Sequence, residues 1–268
     1  MKLRQKVALV TGAARGMGRT HCLALAAEGA DIVACDVCKD LSAVGYPMGE
    51  KSELDRTVEE VRALGRRAIG VIADVSKEAE VKAMIDRAID EFGRIDILVN
   101  NAGVALIAVP VHEVTEEQWD RIMNVNLKGT WLCCKHVIPH MMKQKSGRII
   151  NMSSHAGLVG IATVGPYACS KHGVVGLTRT LAVELAPYGI NVNAICPRAV
   201  GTPMLTESFK LIGMTHEEAE KEWGGSNLSG GVIPPEDISK VVVWLASDDA
   251  RFIDGRSLLI GTSTGLIP

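Results

Sequence analysis

The chain has no excess of either charge. Its 29 Lys and Arg stand against 31 Asp and Glu, a formal net charge of −2, and no basic block is present to meet a nucleic-acid backbone or an anionic membrane surface. Long apolar runs are also missing, since each is broken by charge or glycine well short of the ~20 residues a bilayer span needs. Neither nucleic acid nor membrane is therefore expected as a partner. Proline is sparse, 10 residues against 27 glycines, and without a G-X-Y period a collagen-like chain is excluded. The segment Met1–Lys6 leads straight into a β-like run, with no apolar core or small-residue cleavage site of a secretory signal. The seven cysteines are odd in number and scattered, which fits reduced thiols and an expected cytoplasmic location.

What is present is a chain of 268 residues, 47% hydrophobic and 22% charged, which excludes a disordered polymer and suits one α/β domain of ordinary size. Short β-branched runs at Val7–Thr11, Asp31–Asp36, Ala68–Ala73, Ile95–Asn100, Arg148–Met152 and Ile190–Ile195 are nearly continuous in apolar residues, as strands covered on both faces must be. Helical spacing fills the intervals, at Met17–Glu28, Ser52–Leu64, Lys77–Phe92, Glu116–Met142, Ala168–Pro187 and Pro235–Ser247, before a last strand at Ser257–Ile260. Gly29, Gly65, Gly93 and Gly189 each follow a helical pattern and precede a strand, where a left-handed helix stop is wanted. The alternation predicts a single α/β domain, a doubly wound parallel sheet with helices on both faces.

Two stretches exceed the plain repeat. Val37–Lys51 is longer than the 2–6 residues typical of a βα loop, and Thr202–Pro235 interrupts the pattern before the final helix and strand. Long additions to a compact α/β domain are commonly functional, so the first is expected to be an insertion beside the ligand and the second a lid. Met204, Leu205, Phe209, Met214 and Trp223 lie in the lid, where they would close over a hydrophobic substrate or serve plain packing.

The first strand runs into Gly12-Ala13-Ala14-Arg15-Gly16-Met17-Gly18 and then a helix. Glycines at this crossing allow the tight bend, let main-chain N–H groups approach a pyrophosphate, and set the positive helix end against its charge. The Gly-Lys-Ser/Thr ending of a nucleotide triphosphatase loop is missing. Asp36 ends the second strand eighteen residues after Gly18, where a carboxylate accepts from the adenosine ribose hydroxyls and repels a 2′-phosphate, favouring NAD over NADP. Arg15 pulls gently the other way. Asp74, at the end of the third strand, is placed to meet the adenine edge.

Further along come Asn100-Asn101-Ala102-Gly103 after the fourth strand, Asn126 on a helix, Ser154 after the fifth strand, and Tyr167-x-x-x-Lys171. Together with the glycine loop, these in this order resemble the short-chain dehydrogenase/reductase family, from Lys6 to about Gly261, and imply a Rossmann fold. The glycine pattern and chain length depart from the extended relatives that carry epimerases. The resemblance implies cofactor contacts at Gly12, Arg15, Gly16, Met17 and Gly18, at Asp36, Val37, Asp74 and Val75, at Asn101, Ala102 and Gly103, at Tyr167 and Lys171, and at Val200 and Thr202. It implies a homotetramer built through Glu116–Met142 and Ala168–Pro187. Asn126 would hold a water that links Lys171 to solvent. The stretch Asp36–Leu41 through Tyr46-Pro47-Met48 resembles the insertion of the carveol-dehydrogenase-like, mycofactocin-associated subgroup, which implies a retained nicotinamide that exchanges electrons with an external redox carrier; a plain surface loop is the alternative.

The chemistry follows from the residue types as well. Tyr167 and Lys171, four apart, share one helical face, and an ammonium beside a phenol lowers a pKa that is ~10 when unperturbed. Tyr167 would then take a proton from an alcohol or give one to a ketone. Ser154 would hydrogen-bond the substrate oxygen, with His155 and Met204 as further substrate contacts. Ser153 is the less suited serine, because the spacing to Tyr167 that the family uses is that of Ser154. Singly, each is also a common helix-surface pair, turn cap or buried amide.

Where the family shows Pro-Gly after the sixth strand, the chain reads Cys196-Pro197-Arg198, a departure that bears on pocket shape. Cys35-x-x-Cys38 and the pair His136 and His140 have ligand-like spacing without a complete ligand set, so no metal is expected. The expected activity is NAD-dependent interconversion of a secondary alcohol and a ketone, on a hydrophobic or cyclic small molecule. The rivals are an NADP-dependent 3-oxoacyl-type ketone reductase and a dinucleotide-binding sensor without catalysis.

Overall fold

Apolar runs bounded by glycine and charge become the strands of one sheet. The computed structural model describes residues 1–211, 213–219, 221 and 231–262. The strands are β1 (Val7–Thr11), β2 (Asp31–Asp36), β3 (Ala68–Ile72), β4 (Ile97–Asn100), β5 (Gly147–Met152), β6 (Ile190–Pro197) and β7 (Ser257–Ile260). The helices are α1 (Gly16–Ala27), α2 (Lys51–Ala63), α3 (Glu78–Phe92), α4 (Glu116–Met123), α5 (Gly129–Gln144), α6 (Gly165–Leu185), α7 (Pro203–Lys210), α8 (His216–Ala219) and α9 (Pro235–Ala246). The order across the sheet is β3-β2-β1-β4-β5-β6-β7, with every described pairing parallel. The chain winds outward from β1 to β3 and then returns beside β1 as β4. This reversal opens a crevice at the carboxyl ends of β1 and β4, where ligands bind in sheets of this kind.

Successive strand residues point to opposite faces, and the core divides accordingly. Leu9, Val33, Leu98 and Ile149 pack on one face with Met84 of α3, Leu132 of α5 and Leu181 of α6. Ala8, Val10, Ile32, Val99 and Ile150 pack on the other with Leu25 of α1, Leu54 of α2 and Val242 of α9. Gly29, Gly65, Gly93 and Gly189 have φ of 101°, 75°, 76° and 70°, the left-handed helix stops expected of them.

Three local expectations are corrected. The third strand is not covered on both faces, because it lies at the sheet edge, and Ile72 is 53% exposed. The segment Glu116–Met142 is not one uniform helix: a five-residue π turn, Asn124–Lys128, separates α4 from α5. Its cause is visible at Asn126, whose amide is captured by the main chain of Val104 in both directions, at 2.8 and 2.9 Å. Finally, the helix expected at Ala168–Pro187 runs from Gly165 to Leu185, and a separate 3-10 turn covers Ala186–Tyr188.

The insertion after β2 carries no regular element before α2, yet it is tied down. Val44 and Tyr46 are buried in the core. The Tyr46 hydroxyl accepts from the Ala105 N–H at 3.0 Å, Arg121 donates to Ser42 Oγ at 2.9 Å, and Met48 N donates to Asp40 Oδ1 at 2.8 Å. In the segment after β6, Thr202 caps α7 by accepting from Leu205 N. The two additions touch, since a Cβ on Gly45 would lie 3.3 Å from Leu211 Cδ1. Trp223 lies outside the described residues.

Candidate active site

The glycine loop is closed so tightly that side chains have no room. A Cβ on Gly18 would fall 1.9 Å from the Gly12 carbonyl oxygen, and one on Gly12, where φ is +68°, would fall 2.9 Å from Ala102 Cα. The loop therefore nests against Asn101 and Ala102, with Thr11 as the pin. Its Oγ1 accepts from Asn101 N and Ala102 N at 3.1 and 3.0 Å, and Asn101 Nδ2 donates to the Thr11 carbonyl at 2.9 Å. The first turn of α1 has neither a side-chain cap nor an acidic residue, so its N–H groups and its positive end face the crevice uncompensated, a setting suited to a pyrophosphate.

Asp36 is nearly buried, 8% exposed, and its carboxylate is aimed by the main chain: Oδ2 accepts from Ala14 N at 3.0 Å and Oδ1 from Cys38 N at 3.3 Å. The insertion comes down on it, because a Cβ on Gly49 would sit 3.5 Å from Asp36 Oδ1 and 2.8 Å from Ala14 Cβ. Arg15 is drawn to the same segment and donates to the Pro47 carbonyl. Asp74 holds Ser76 through its N–H and hydroxyl at 2.9 and 2.6 Å. Gly12, Arg15, Gly16, Met17, Asp36, Val37, Asp74, Val75, Asn101, Ala102 and Gly103 line one continuous cleft, joined by Tyr46, Met48 and Gly49 of the insertion. Gly18 acts from beneath, through its lack of a side chain.

Ser154 and Tyr167 line a second cavity and not this cleft, and Lys171, beside Tyr167, lines neither. Ser154 follows β5, and its Oγ accepts from Ala156 N at 3.1 Å while sharing a hydrogen bond with Tyr167. Lys171 is buried; its Nζ donates to the Met152 carbonyl at 2.8 Å and stands 5.5 Å from the Tyr167 ring centroid. A Cβ on Gly103 would lie 3.4 Å from Asn126 Oδ1 and 3.5 Å from Lys171 Nζ, so the loop after β4 runs between amide and ammonium. Ser153 instead turns inward and donates to the Lys171 carbonyl at 2.9 Å. Asn126 spends its side chain on Val104 and on Ser170 Oγ, and its carbonyl accepts from Thr130 Oγ1 at 2.7 Å.

The electrostatics differ from the simple expectation for a Tyr–Lys pair. Burial pushes the Tyr167 phenol up, and the hydrogen bond from Ser154 only partly opposes it. Burial likewise draws the Lys171 ammonium down to about 8. Desolvation penalises whichever form is charged, and it is the largest cause of both shifts. The Cys35 and Cys38 thiols are held up, Cys38 at about 12, by burial first and then by neighbouring acids. His136 faces Glu78 at 3.2 Å.

Beyond Tyr167 opens a second cavity of about 370 Å³. Met17, Thr202 and Met204 line both spaces, so the cleft and the cavity meet along these three residues, with Tyr167 in the wall of the second. The cavity has apolar walls from Ala105, Ile107, Ile161, Val164, Leu205 and Phe209, with Ser154, His155, Arg198 and Ser208 among them. Of the expected cofactor contacts, Val200 and Tyr167 line this cavity and not the cleft, and Lys171 lines neither. Thr11 and Gly49 also shape the site without a signal in the sequence, since a threonine ending a strand carries none of its own, whereas Tyr46 stands in the insertion stretch Tyr46-Pro47-Met48 already singled out.

Comparison with known proteins agrees with this geometry. The model of the short chain dehydrogenase family matches residues 6–211, and the chain belongs to that family. A (-)-trans-carveol dehydrogenase of Rhodococcus erythropolis is 38% identical over 274 residues, covering 99% of each chain. A 3-oxoacyl-acyl-carrier-protein reductase of Thermotoga maritima is 37% identical over 268 residues, covering 100% of each. Identity alone thus does not select a substrate. The crystal structure of carveol dehydrogenase from Mycobacterium avium in complex with NAD superposes with a TM-score of 0.92 at 34% identity, covering 97% of each chain.

Proposed function

We propose that the protein is an NAD-dependent secondary-alcohol dehydrogenase, acting reversibly on a hydrophobic or cyclic alcohol and its ketone. The observation that carries this reading is the meeting of the two spaces along Met17, Thr202 and Met204, with Ser154 and Tyr167 together in the wall of the second and Lys171 buried beside Tyr167. The cleft fits the cofactor on two counts: a loop so close that a Cβ at Gly18 would collide with Gly12, and a carboxylate at Asp36 fixed by two main-chain donors. NAD, when bound, supplies the hydride acceptor or donor.

The chain's own residues then handle orientation and the proton. Ser154 Oγ holds the substrate oxygen against Tyr167. The phenolic oxygen of Tyr167 takes the alcohol proton in oxidation and returns it in reduction. The buried Lys171 ammonium favours the phenolate that forms, more strongly than it would in water. Asn126, in the π turn, stands one loop away from Lys171 and would pass the proton outward through water. His155 and Met204 shape the pocket around the alcohol. Gly16, Met17, Val37, Asp74, Val75, Asn101, Ala102, Gly103 and Thr202 enclose the cofactor. Asp36 argues against an NADP-linked reductase, as does the engagement of Arg15 with Pro47.

The insertion is proposed as a cover over the adenosine end that retains the cofactor, so that turnover draws on an external redox carrier. Tyr46, Pro47 and Gly49 support this, each reaching the loops that line the cleft. Exposed Trp131 on α5 and Val183 on α6 support a homotetramer formed through those helices. The test is a panel of cyclic, terpenoid, aromatic and steroid alcohols assayed with NAD, with NADP and with an artificial electron acceptor. NAD-linked oxidation is expected, with faster turnover on the artificial acceptor and nicotinamide retained through desalting. Clear NADP preference, or no hydride transfer to bound cofactor from any alcohol, would overturn the assignment. Light scattering reads the assembly.

A further inference from the structure

One residue of the insertion reaches past the nucleotide cleft to the wall of the other cavity. Tyr46 is 6% exposed and lines the cleft, yet its hydroxyl accepts from the main-chain N–H of Ala105 at 3.0 Å, and Ala105 lines the second cavity. Residues 105–108 supply that wall at Ala105 and Ile107 and have little else to hold them. Val104 before them is fixed by Asn126, and Val109 after them donates to the Thr163 carbonyl at 3.2 Å. Between these two anchors, among the described residues, the bond to Tyr46 is the one hydrogen bond that the main chain makes. Ala108 moreover has a φ of 59°, in the left-handed region that a residue with a Cβ keeps only where its surroundings require it. Burial pushes the Tyr46 phenol up to about 12, against the opposing pull of the Ala105 bond, so the hydroxyl is neutral at neutral and mildly alkaline pH and the hold does not titrate there.

We propose that Tyr46 is a positioning residue for the alcohol: by holding Ala105 it fixes residues 105–108 as a wall of the second cavity, so that the insertion on the nucleotide side sets how large an alcohol fits. This rests on the alcohol-dehydrogenase reading above and adds to it a determinant of substrate size. A buried N–H that loses its acceptor is costly, so without the Tyr46 oxygen the stretch is expected to shift until the Ala105 N–H meets water, and the wall opens. The insertion's other ties, from Arg121 to Ser42 and from Met48 to Asp40, involve no residue of that wall.

Residue-resolved hydrogen exchange on the unaltered full chain is the first test. The Ala105 amide is expected to exchange more slowly than those of Leu106 and Ile107 by roughly tenfold or more, the worth of one hydrogen bond. Equal rates overturn the hold without need of any variant. Kinetics of Tyr46→Phe with NAD then compares the smallest and the bulkiest cyclic alcohol that the unaltered protein oxidises. A wall touches ground state and transition state alike, so KM for the small alcohol should rise by roughly 3- to 10-fold while kcat and its pH profile stay in place. The bulky alcohol should keep its efficiency or gain, and the preference for the small one should fall. Ser42→Ala, which loosens the insertion away from this loop, should leave that preference as it was. An unchanged preference in Tyr46→Phe, or an equal fall in Ser42→Ala, overturns the proposal and leaves the dehydrogenase reading standing. A protected Ala105 amide in a protein that oxidises no alcohol removes that reading and leaves the hold of Tyr46 on the wall.

Discussion

Lys171 stands 5.5 Å from the ring centroid of Tyr167 and gives its hydrogen bond elsewhere, to the Met152 carbonyl at 2.8 Å. The ammonium therefore acts on the phenol through space, from a fixed position, and both groups are penalised by burial. With the phenol held above its ordinary value, the proton-accepting form of Tyr167 is scarce at neutral pH. Alcohol oxidation is expected to gain kcat/KM steadily as pH rises into the alkaline range, and ketone reduction to lose it. Parallel pH profiles in the two directions check this, and a flat oxidation profile would contradict it.

Removing the phenolic oxygen should abolish the proton step and little else. Tyr167→Phe is expected to lower kcat by ~10²–10⁴-fold, the usual worth of a positioned acid or base. Cofactor affinity, read by quenching of protein fluorescence, should change by no more than about fivefold, since one hydrogen bond is worth roughly 1 kcal/mol. Turnover near that of the unaltered protein would remove Tyr167 from its role.

Lys171 carries a stability cost that can be measured. Its folded pKa of about 8 lies below the ordinary lysine value of 10.5, so between those values the unfolded chain binds the proton and the folded one does not. Stability from this group therefore rises with pH across that window, and at pH 7 the full cost is present. Lys171→Met should lose activity yet melt higher at pH 7, by on the order of 1–2 kcal/mol after loss of the Met152 hydrogen bond is deducted. The gain should shrink toward pH 10. Calorimetric melting at pH 7 and pH 10 decides it, and a variant less stable at both would count against the sign.

Asp36 separates cofactor choice from cofactor hold. Its carboxylate is fixed by Ala14 and Cys38 N–H groups, so Asp36→Ala removes both the ribose acceptor and two main-chain partners. NAD efficiency should fall by about 10- to 100-fold, the worth of a hydrogen bond to a charged group. A strong preference for NADP should not follow, because Arg15 remains engaged with Pro47. Steady-state kinetics with both cofactors reads the outcome, and a full switch to NADP would show that Arg15 is free to turn.

Gly49 is the point where the insertion meets the nucleotide cleft. A Cβ there would approach Ala14 Cβ to 2.8 Å, so Gly49→Val should lift the segment off the loop at a cost of about 1–3 kcal/mol. Cofactor retained through desalting should drop, with dissociation faster by roughly tenfold. Unchanged retention would mean that the segment is no cover.

Much of this was legible in the chain itself, for reasons that are local. The β-branched runs, the four glycine stops and the spacing of Ser154, Tyr167 and Lys171 all report on neighbouring residues along the sequence, and the sheet and the proposed catalytic cluster follow from them. What was not legible depends on distant partners. The edge position of β3 follows from strand order. The π turn at Asn126 is set by Val104, twenty-two residues away. The rise of the Tyr167 pKa depends on how completely the fold encloses it, which a Tyr-x-x-x-Lys spacing does not encode. The hold of Tyr46 on Ala105 spans fifty-nine residues.

The contact between Gly45 and Leu211 joins the two additions into one wall. On the proposed reading, the cover on the nucleotide and the door to the alcohol are not independent parts. Leu211 is exposed and lies outside the wall of the alcohol cavity, so trimming it is expected to loosen the cover and shorten coenzyme residence while leaving the cavity's own walls in place. Coenzyme residence time can thus be altered from the substrate-side segment, and an attempt to retarget the enzyme there has to follow both.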